Sequence, residues 1–166
     1  KLHVESAEAA RLCGNFKEME KLFEIVLQNA RTVLDRVDVY QTRIHAFISE
    51  NRRSEALELA LEILKEIGME LPAQPTEADV RSILNKTIEG LSEQRIKDLV
   101  KMPKMNDPGH LAAMKIMGSV VGPSYQVSPD WFIILVCQQM NLSVRYGNVP
   151  NSAVAYVTFG LILCGY

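Results

Sequence analysis

Only three charged side chains, Lys115, Asp130 and Arg145, lie beyond residue 107 in this 166-residue chain. The residues before that point carry nineteen of the twenty acidic and sixteen of the eighteen basic side chains. A 59-residue tract with three charges cannot form an ordinary solvated surface, because water-facing helix positions are normally polar. Its helices must be buried on most sides, or pack against chain beyond this segment. Its most apolar run, AVAYVTFGLILCG from Ala153 to Gly165, falls short of the ~20 residues a membrane span needs. A buried helix is therefore expected, with no membrane partner.

The rest of the composition is that of a soluble protein, 48% apolar and 23% charged. A net charge of −2 gives no reason to expect a nucleic-acid partner. Cys13, Cys137 and Cys164 are odd in number and lack CxxC spacing. They read as reduced packing residues in a cytoplasmic protein. Lys1 opens the chain without a charged-then-apolar leader, and the chain stops in the apolar run TFGLILCGY. Both ends read as cut, so a piece of a longer protein is expected.

The dominant period is helical. Met19, Leu22, Phe23, Val26 and Ala30 fall on one helix face, as do Val33, Val37, Tyr40, Ile44, Phe47 and Ile48. Ala56, Ala60, Ile63 and Ile67 mark another helix, which Gly68 ends, and Pro72 and Pro75 keep the following residues out of helix. Thr76 with Asp79 reads as a capping-box pair. Ser92 reads as the cap of a short helix through Ile96, Leu99 and Val100 that Pro103 stops. Asp107-Pro108 and Ser128-Pro129 place a capping side chain before a first-turn proline. They open helices expected over roughly 108–121 and 129–146, closed by Gly122-Pro123 and Gly147. A last helix is expected over about 151–164. No stretch alternates with period 2. The expectation is an all-α protein of about eight helices arranged as tandem antiparallel hairpins.

Two turns look like copies. GNFKEM starts at Gly14 and NRRSEA at Asn51, 37 residues later, and each precedes an amphipathic run. Aligned, Glu18 matches Glu55, Met19 matches Ala56, Phe23 matches Ala60 and Val26 matches Ile63. GNFKEM resembles the turn of tetratricopeptide repeats, and RRSEALELALEIL resembles the start of their second helix, so a tetratricopeptide-like α-solenoid is implied. The period departs from 34, and the second copy lacks the glycine and the aromatic residue. The expected division is two degenerate repeats in 1–71, linker helices in 72–107 and apolar helices in 108–166.

Longer stretches carry a wider resemblance. EMEKLFEIVLQNARTVLDRVDVYQTRIHAFISENRRSEALELALEILKEIGMELP, DLVKMPKMNDPGHLAAMKIMGSVVGPSY and MNLSVRYGNVPNSAVAYVTFGLILCG are similar to a region of large bacterial signalling ATPases, especially abundant in cyanobacteria. In those proteins a serine/threonine-kinase-like domain is followed by an AAA/STAND-type ATPase and a helical-repeat region. A GAF domain and a histidine kinase often close the chain. The resemblance implies a scaffold or sensor role in signal transduction. It brings no catalytic residue, because GxxxxGK[ST], HRD, DFG and GxGxxG are all absent from the sequence.

Candidate sites are few. His3, His45 and His110 stand apart, with no metal-ligand spacing, so no metal or cofactor is expected. Glu50, Asn51, Arg52 and Arg53 form a polar corner that could hold a peptide carboxylate. Arg31, Arg36 and Arg43 line up with Tyr40 as a groove wall or an exposed face. Met102, Met105, Met114 and Met117 cluster, with core packing expected for the last two. Tyr125, Trp131 and Phe132 surround a proline turn as an aromatic contact surface. The candidate interaction surface is therefore Tyr40, Arg43, Arg52, Arg53, Tyr125, Trp131 and Phe132.

The expected function is a non-catalytic protein–protein interaction or sensor module. Its partner would be a protein or another domain of the same chain, and the apolar C-terminal helices could form an oligomer. The alternative is a small-molecule sensor whose apolar pocket lies among residues 108–166, near Tyr125, Trp131, Tyr146, Tyr156 and Phe159. An enzyme ranks third, since no nucleophile–base pairing is visible.

Overall fold

The computed structural model describes residues 2–91 and 93–165. Among them the chain forms α1 (Leu2–Leu12), α2 (Phe16–Asn29), α3 (Val33–Ser49), α4 (Arg53–Glu66), α5 (Glu77–Glu89), α6 (Glu93–Asp98), a 3-10 turn (Leu99–Lys101), α7 (Pro108–Val127), α8 (Pro129–Tyr146) and α9 (Ser152–Gly165). The protein is all-α, with nine helices among the described residues, one more than expected. The only β-type contact among them is an isolated bridge between Lys104 and Asn148.

The helix ends follow from local chemistry. Thr32 with Asp35 and Thr76 with Asp79 form reciprocal capping boxes. Asn15, Asp107 and Ser128 each accept a backbone N–H of the first turn, from Glu18, His110 and Trp131. Ser92, expected to cap α6, lies outside the described residues. The two look-alike turns share one backbone geometry. Gly14 and Asn51 take φ of 72° and 63°, and the next residue donates back to the carbonyl five positions earlier. Asn15 N–H reaches Ala10 O and Arg52 N–H reaches Phe47 O, each at 2.8 Å. That bond closes a helix whose next residue is left-handed. In each copy the following helix starts two residues after the left-handed position.

Helix α7 overruns its expected end. It continues through Gly122 and Pro123 to Val127. Gly122 has no Cβ to collide with the proline ring, so it can stay helical before Pro123. The added turn buries Ser124, whose Oγ donates to Val121 O at 2.8 Å.

Packing builds three hairpins, α1–α2, α3–α4 and α7–α8. Helix α3 packs on both α1 and α2, and α7 packs on both α3 and α4. Each later hairpin thus leans its first helix on the hairpin before it. Helices α5 and α6 interrupt this succession, and α5 packs on α8. Helix α3 serves two cores. Val39 and Ala46 join Ala7, Met19 and Phe23 in the smaller one. Val37 and Ile44 join the larger core of α4, α5, α7, α8 and α9. The face read from the sequence, Val33 to Ile48, belongs wholly to the larger core.

Helix α8 explains the missing charges. Ile133, Ile134, Leu135, Val136 and Cys137 are five consecutive buried positions, more than a full helical turn. Helices α5, α7 and α9 cover its sides. Full burial of an Ile or Leu side chain contributes about 1.5–3 kcal/mol, so this helix anchors the domain. Of the tract's three charges, Lys115 pairs with Asp38 on α3 and Asp130 sits in the first turn of α8, where the helix dipole favours a carboxylate.

The chain crosses itself where α8 ends. Gly147 has φ of 108°, and a Cβ there would lie 2.4 Å from Pro103 O. Asn148 N–H donates to Pro103 O at 2.7 Å, and Met105 N–H donates to Asn148 O at 3.0 Å. Replacing Gly147 by Ala is expected to cost about 2–4 kcal/mol, combining left-handed strain with a backbone clash. Asn51→Gly should instead raise stability by up to about 1 kcal/mol, because it relieves a left-handed non-glycine residue in open solvent. Urea denaturation of the two variants checks both the size and the opposite signs.

Candidate functional site

The segment 67–76, which holds Pro72 and Pro75, does not fold α5 back along α4. Helix α4 packs on α7 and α5 packs on α8, and an open groove of about 1410 Å³ runs between them. The end of α4 and the residues after it form one wall, α5 the other, and the C-terminal half of α8 the floor. Met69, Leu71 and Ile83 line it half-buried, over buried Ile134 and Leu142. Lys65, Lys86 and Arg145 also line it, with Glu70 and Asp79.

Hydrogen bonds hold the groove's shape. Gln138 Nε2 donates to Glu70 O at 3.3 Å, tying the residues after α4 to α8. Asn141 Nδ2 donates to Thr87 Oγ1 at 3.0 Å, tying α8 to α5. Thr87 Oγ1 in turn donates to Ile83 O at 2.7 Å. At one end His110 stacks on Tyr146, ring centroids 3.7 Å apart and planes 20° apart. The Arg145 guanidinium lies 5.2 Å from the Tyr146 ring centroid. Asp79 Oδ2 accepts from Thr76 N–H at 2.9 Å and Thr76 Oγ1 at 2.6 Å. These bonds hold its carboxyl below the usual carboxylate range.

The residues singled out from the sequence do not converge. Tyr40 is half-buried against the larger core, and its hydroxyl accepts from Arg36 at 3.3 Å. Arg43 is half-buried and pairs with Glu20 of α2 at 2.9 Å. It joins two hairpins and is not an exposed face. Arg52 bridges Glu50 and Glu55 and lies 4.3 Å from the Phe47 ring centroid. Its guanidinium is already neutralised, so the polar corner does not offer it to a peptide carboxylate. Arg53 contacts the Asn51 side chain.

The aromatic surface is only partly a surface. Tyr125 is 64% exposed and meets Phe132 edge-on, centroids 5.2 Å apart. Trp131 is 8% exposed and belongs to the core, because its position in the first turn of α8 faces the bundle. The aromatic residues expected around a pocket within 108–166 are scattered too. Phe159 and Trp131 are buried, Tyr125 is exposed, and Tyr146 lines the groove shared with α4 and α5. Met114 and Met117 are core residues as expected. Cys13 and Cys164 are exposed, so only Cys137 is a packing residue.

No group of three or more His, Cys, Asp and Glu side chains among the described residues is placed to hold a metal. No helix among them is long and apolar enough to cross a membrane. The outer face of α9 is nonetheless apolar, with Val154, Val157 and Leu161 exposed by 62%, 67% and 68%. Comparison with protein-family models, curated proteins and solved structures returned no match.

Sequence reasoning missed Lys65, Lys86, Gln138, Asn141 and Arg145. One signal was available: Arg145 is one of three charges in an otherwise uncharged tract. The others carry no motif and meet only in the folded chain.

Two outcomes follow from these environments. Burial pushes the Cys137 thiol up to about 11, and a thiol alkylates through its thiolate. Iodoacetamide at mildly alkaline pH should therefore modify Cys13 and Cys164 in the native protein, and Cys137 only after unfolding, as read by mass spectrometry. Burial, reinforced by Arg11 and Lys115 and opposed by Glu8, lowers the pKa of His45 from its ordinary 6.5. As pH falls below that value the unfolded chain binds the proton first. Stability should decline as pH drops through 6.5 toward the folded value, and His45→Gln should remove that part of the slope in pH-dependent urea titrations. The Glu8 carboxyl, held low chiefly by its hydrogen bond from Arg11, acts in a separate window below 4.5.

Proposed function

We propose that this chain is a non-catalytic, tetratricopeptide-like interaction module of a larger cytoplasmic signalling protein. Its groove takes up a segment of a partner protein or of another domain in the same chain. Binding is then passed to linked ATPase or kinase domains. The observation that carries this reading is the groove between α4, α5 and α8. It is about 1410 Å³ in volume, beyond the roughly 300–1,000 Å³ of a drug-sized ligand site, and it is partly open to solvent. The resemblance to bacterial signalling ATPases supports the signalling context.

A relay fits the way α5 is held. Helix α5 packs on α8 and connects to α4 through the proline-bearing residues 67–76. A ligand touching both walls favours one placement of α5 over another only by its different affinity for the two. Exposed Val154, Val157 and Leu161 on α9 support a second contact surface, for self-association or for further chain.

The small-molecule reading keeps one supporting observation, the His110–Tyr146 stack at one end of the groove. A flat aromatic ligand lying against it would raise the melting temperature.

The test is deletion. Removing residues 1–166 from the longer protein should uncouple its kinase or ATPase output from its stimulus while leaving basal ATP turnover intact. An output still regulated as before would refute the proposal.

A further inference from the structure

We propose that the groove between α4, α5 and α8 recognises an acidic, extended peptide segment. This rests on the interaction-module reading above and names the chemistry of its partner. Unpaired cations occur singly elsewhere among the described residues, as at Lys17, Arg31 and Lys104, while several others are paired within the fold. Arg11, Arg36, Arg43, Arg52, Arg81 and Lys115 each lie within ion-pair distance of a carboxylate. Lys65, Lys86 and Arg145 have no such partner among the described residues, and all three line this one groove. Asp79, on the same wall, is already bonded to Thr76. It keeps its negative charge, so Glu70 and Asp79 set against Lys65, Lys86 and Arg145 leave an excess of one positive charge among the charged lining residues. The groove is therefore locally cationic in a chain whose net charge is −2, and charge complementarity favours an acidic occupant.

The apolar lining decides the kind of occupant. Half-buried Met69, Leu71 and Ile83 present aliphatic surface in the same groove as the cations. A peptide that alternates carboxylates with apolar side chains matches both features. A single-stranded nucleic acid matches neither so well. It needs open aromatic faces for its bases, and the Tyr146 ring already carries His110 on one face.

The probe is a fluorescein-labelled peptide of interspersed Glu, Leu and Ser, compared by anisotropy with the same peptide carrying Gln for every Glu. The Glu peptide should bind about tenfold or more tightly than the Gln peptide, as several screened charge pairs add. Added salt should narrow that gap. A combined Lys65→Gln, Lys86→Gln and Arg145→Gln variant should lose the preference. All three residues are exposed, and an unchanged circular-dichroism melt confirms the fold. Lys17→Gln, on α2, should bind as the parent does. Equal binding of both peptides overturns the acidic chemistry and leaves the interaction module standing. Binding of neither, or undiminished binding to the triple variant, overturns the groove as the acidic-peptide site. The module is then judged by the deletion experiment alone. Competition by a poly-thymidine oligonucleotide at equal charge also overturns the inference, since the groove would then read charge without peptide chemistry.

Discussion

The burial of α8 is the constraint from which the rest of this structure follows. Five consecutive buried residues, Ile133 to Cys137, leave that helix no water-facing side. It must be covered by α7, α9 and α5 together. Covering it draws α5 away from α4, the helix it follows in sequence. The groove is the space that this leaves, so the candidate site is a by-product of covering the most deeply buried helix.

Helix α3 plays the matching part in the charged half. Val39 and Ala46 face one core, while Val37 and Ile44 face the other. The first hairpin therefore stacks on the second through a helix that is apolar on two sides. Polar links reinforce the same seams. Arg43 reaches Glu20 across α2 and α3, and Gln41 donates to Ser119 across α3 and α7. Partly exposed pairs of this kind contribute little energy, so they set register more than stability. The bulk of the stabilisation comes from area removed from water.

Much of the helical content was legible because its signals are local. The caps at Thr76, Asp107 and Ser128 and the stop at Gly68 act within one turn of chain. The likeness of the Gly14 and Asn51 turns was visible in sequence and reappears as a shared left-handed backbone. The reading failed where a local rule met packing. Gly122-Pro123 reads as a helix end, yet burial of Ser124 carries α7 onward. Trp131 beside a proline turn reads as surface, yet it turns inward. The site was less legible still. Arg52 looked available until Glu50 and Glu55 closed on it, and Lys65, Lys86 and Arg145 had nothing in sequence to join them.

By itself the sequence determined that the chain is helical, where most helices begin, and that its last third is nearly without charge. Periodicity, capping and charge content act over a few residues, and no partner is needed to read them. Tertiary structure alone decided which helix covers α8, that α5 leaves α4, and which cations stay unpaired. Those outcomes depend on contacts between residues tens of positions apart. The choice among such contacts is made by burying the largest apolar area at once, a quantity that belongs to the folded chain and to no single stretch of it.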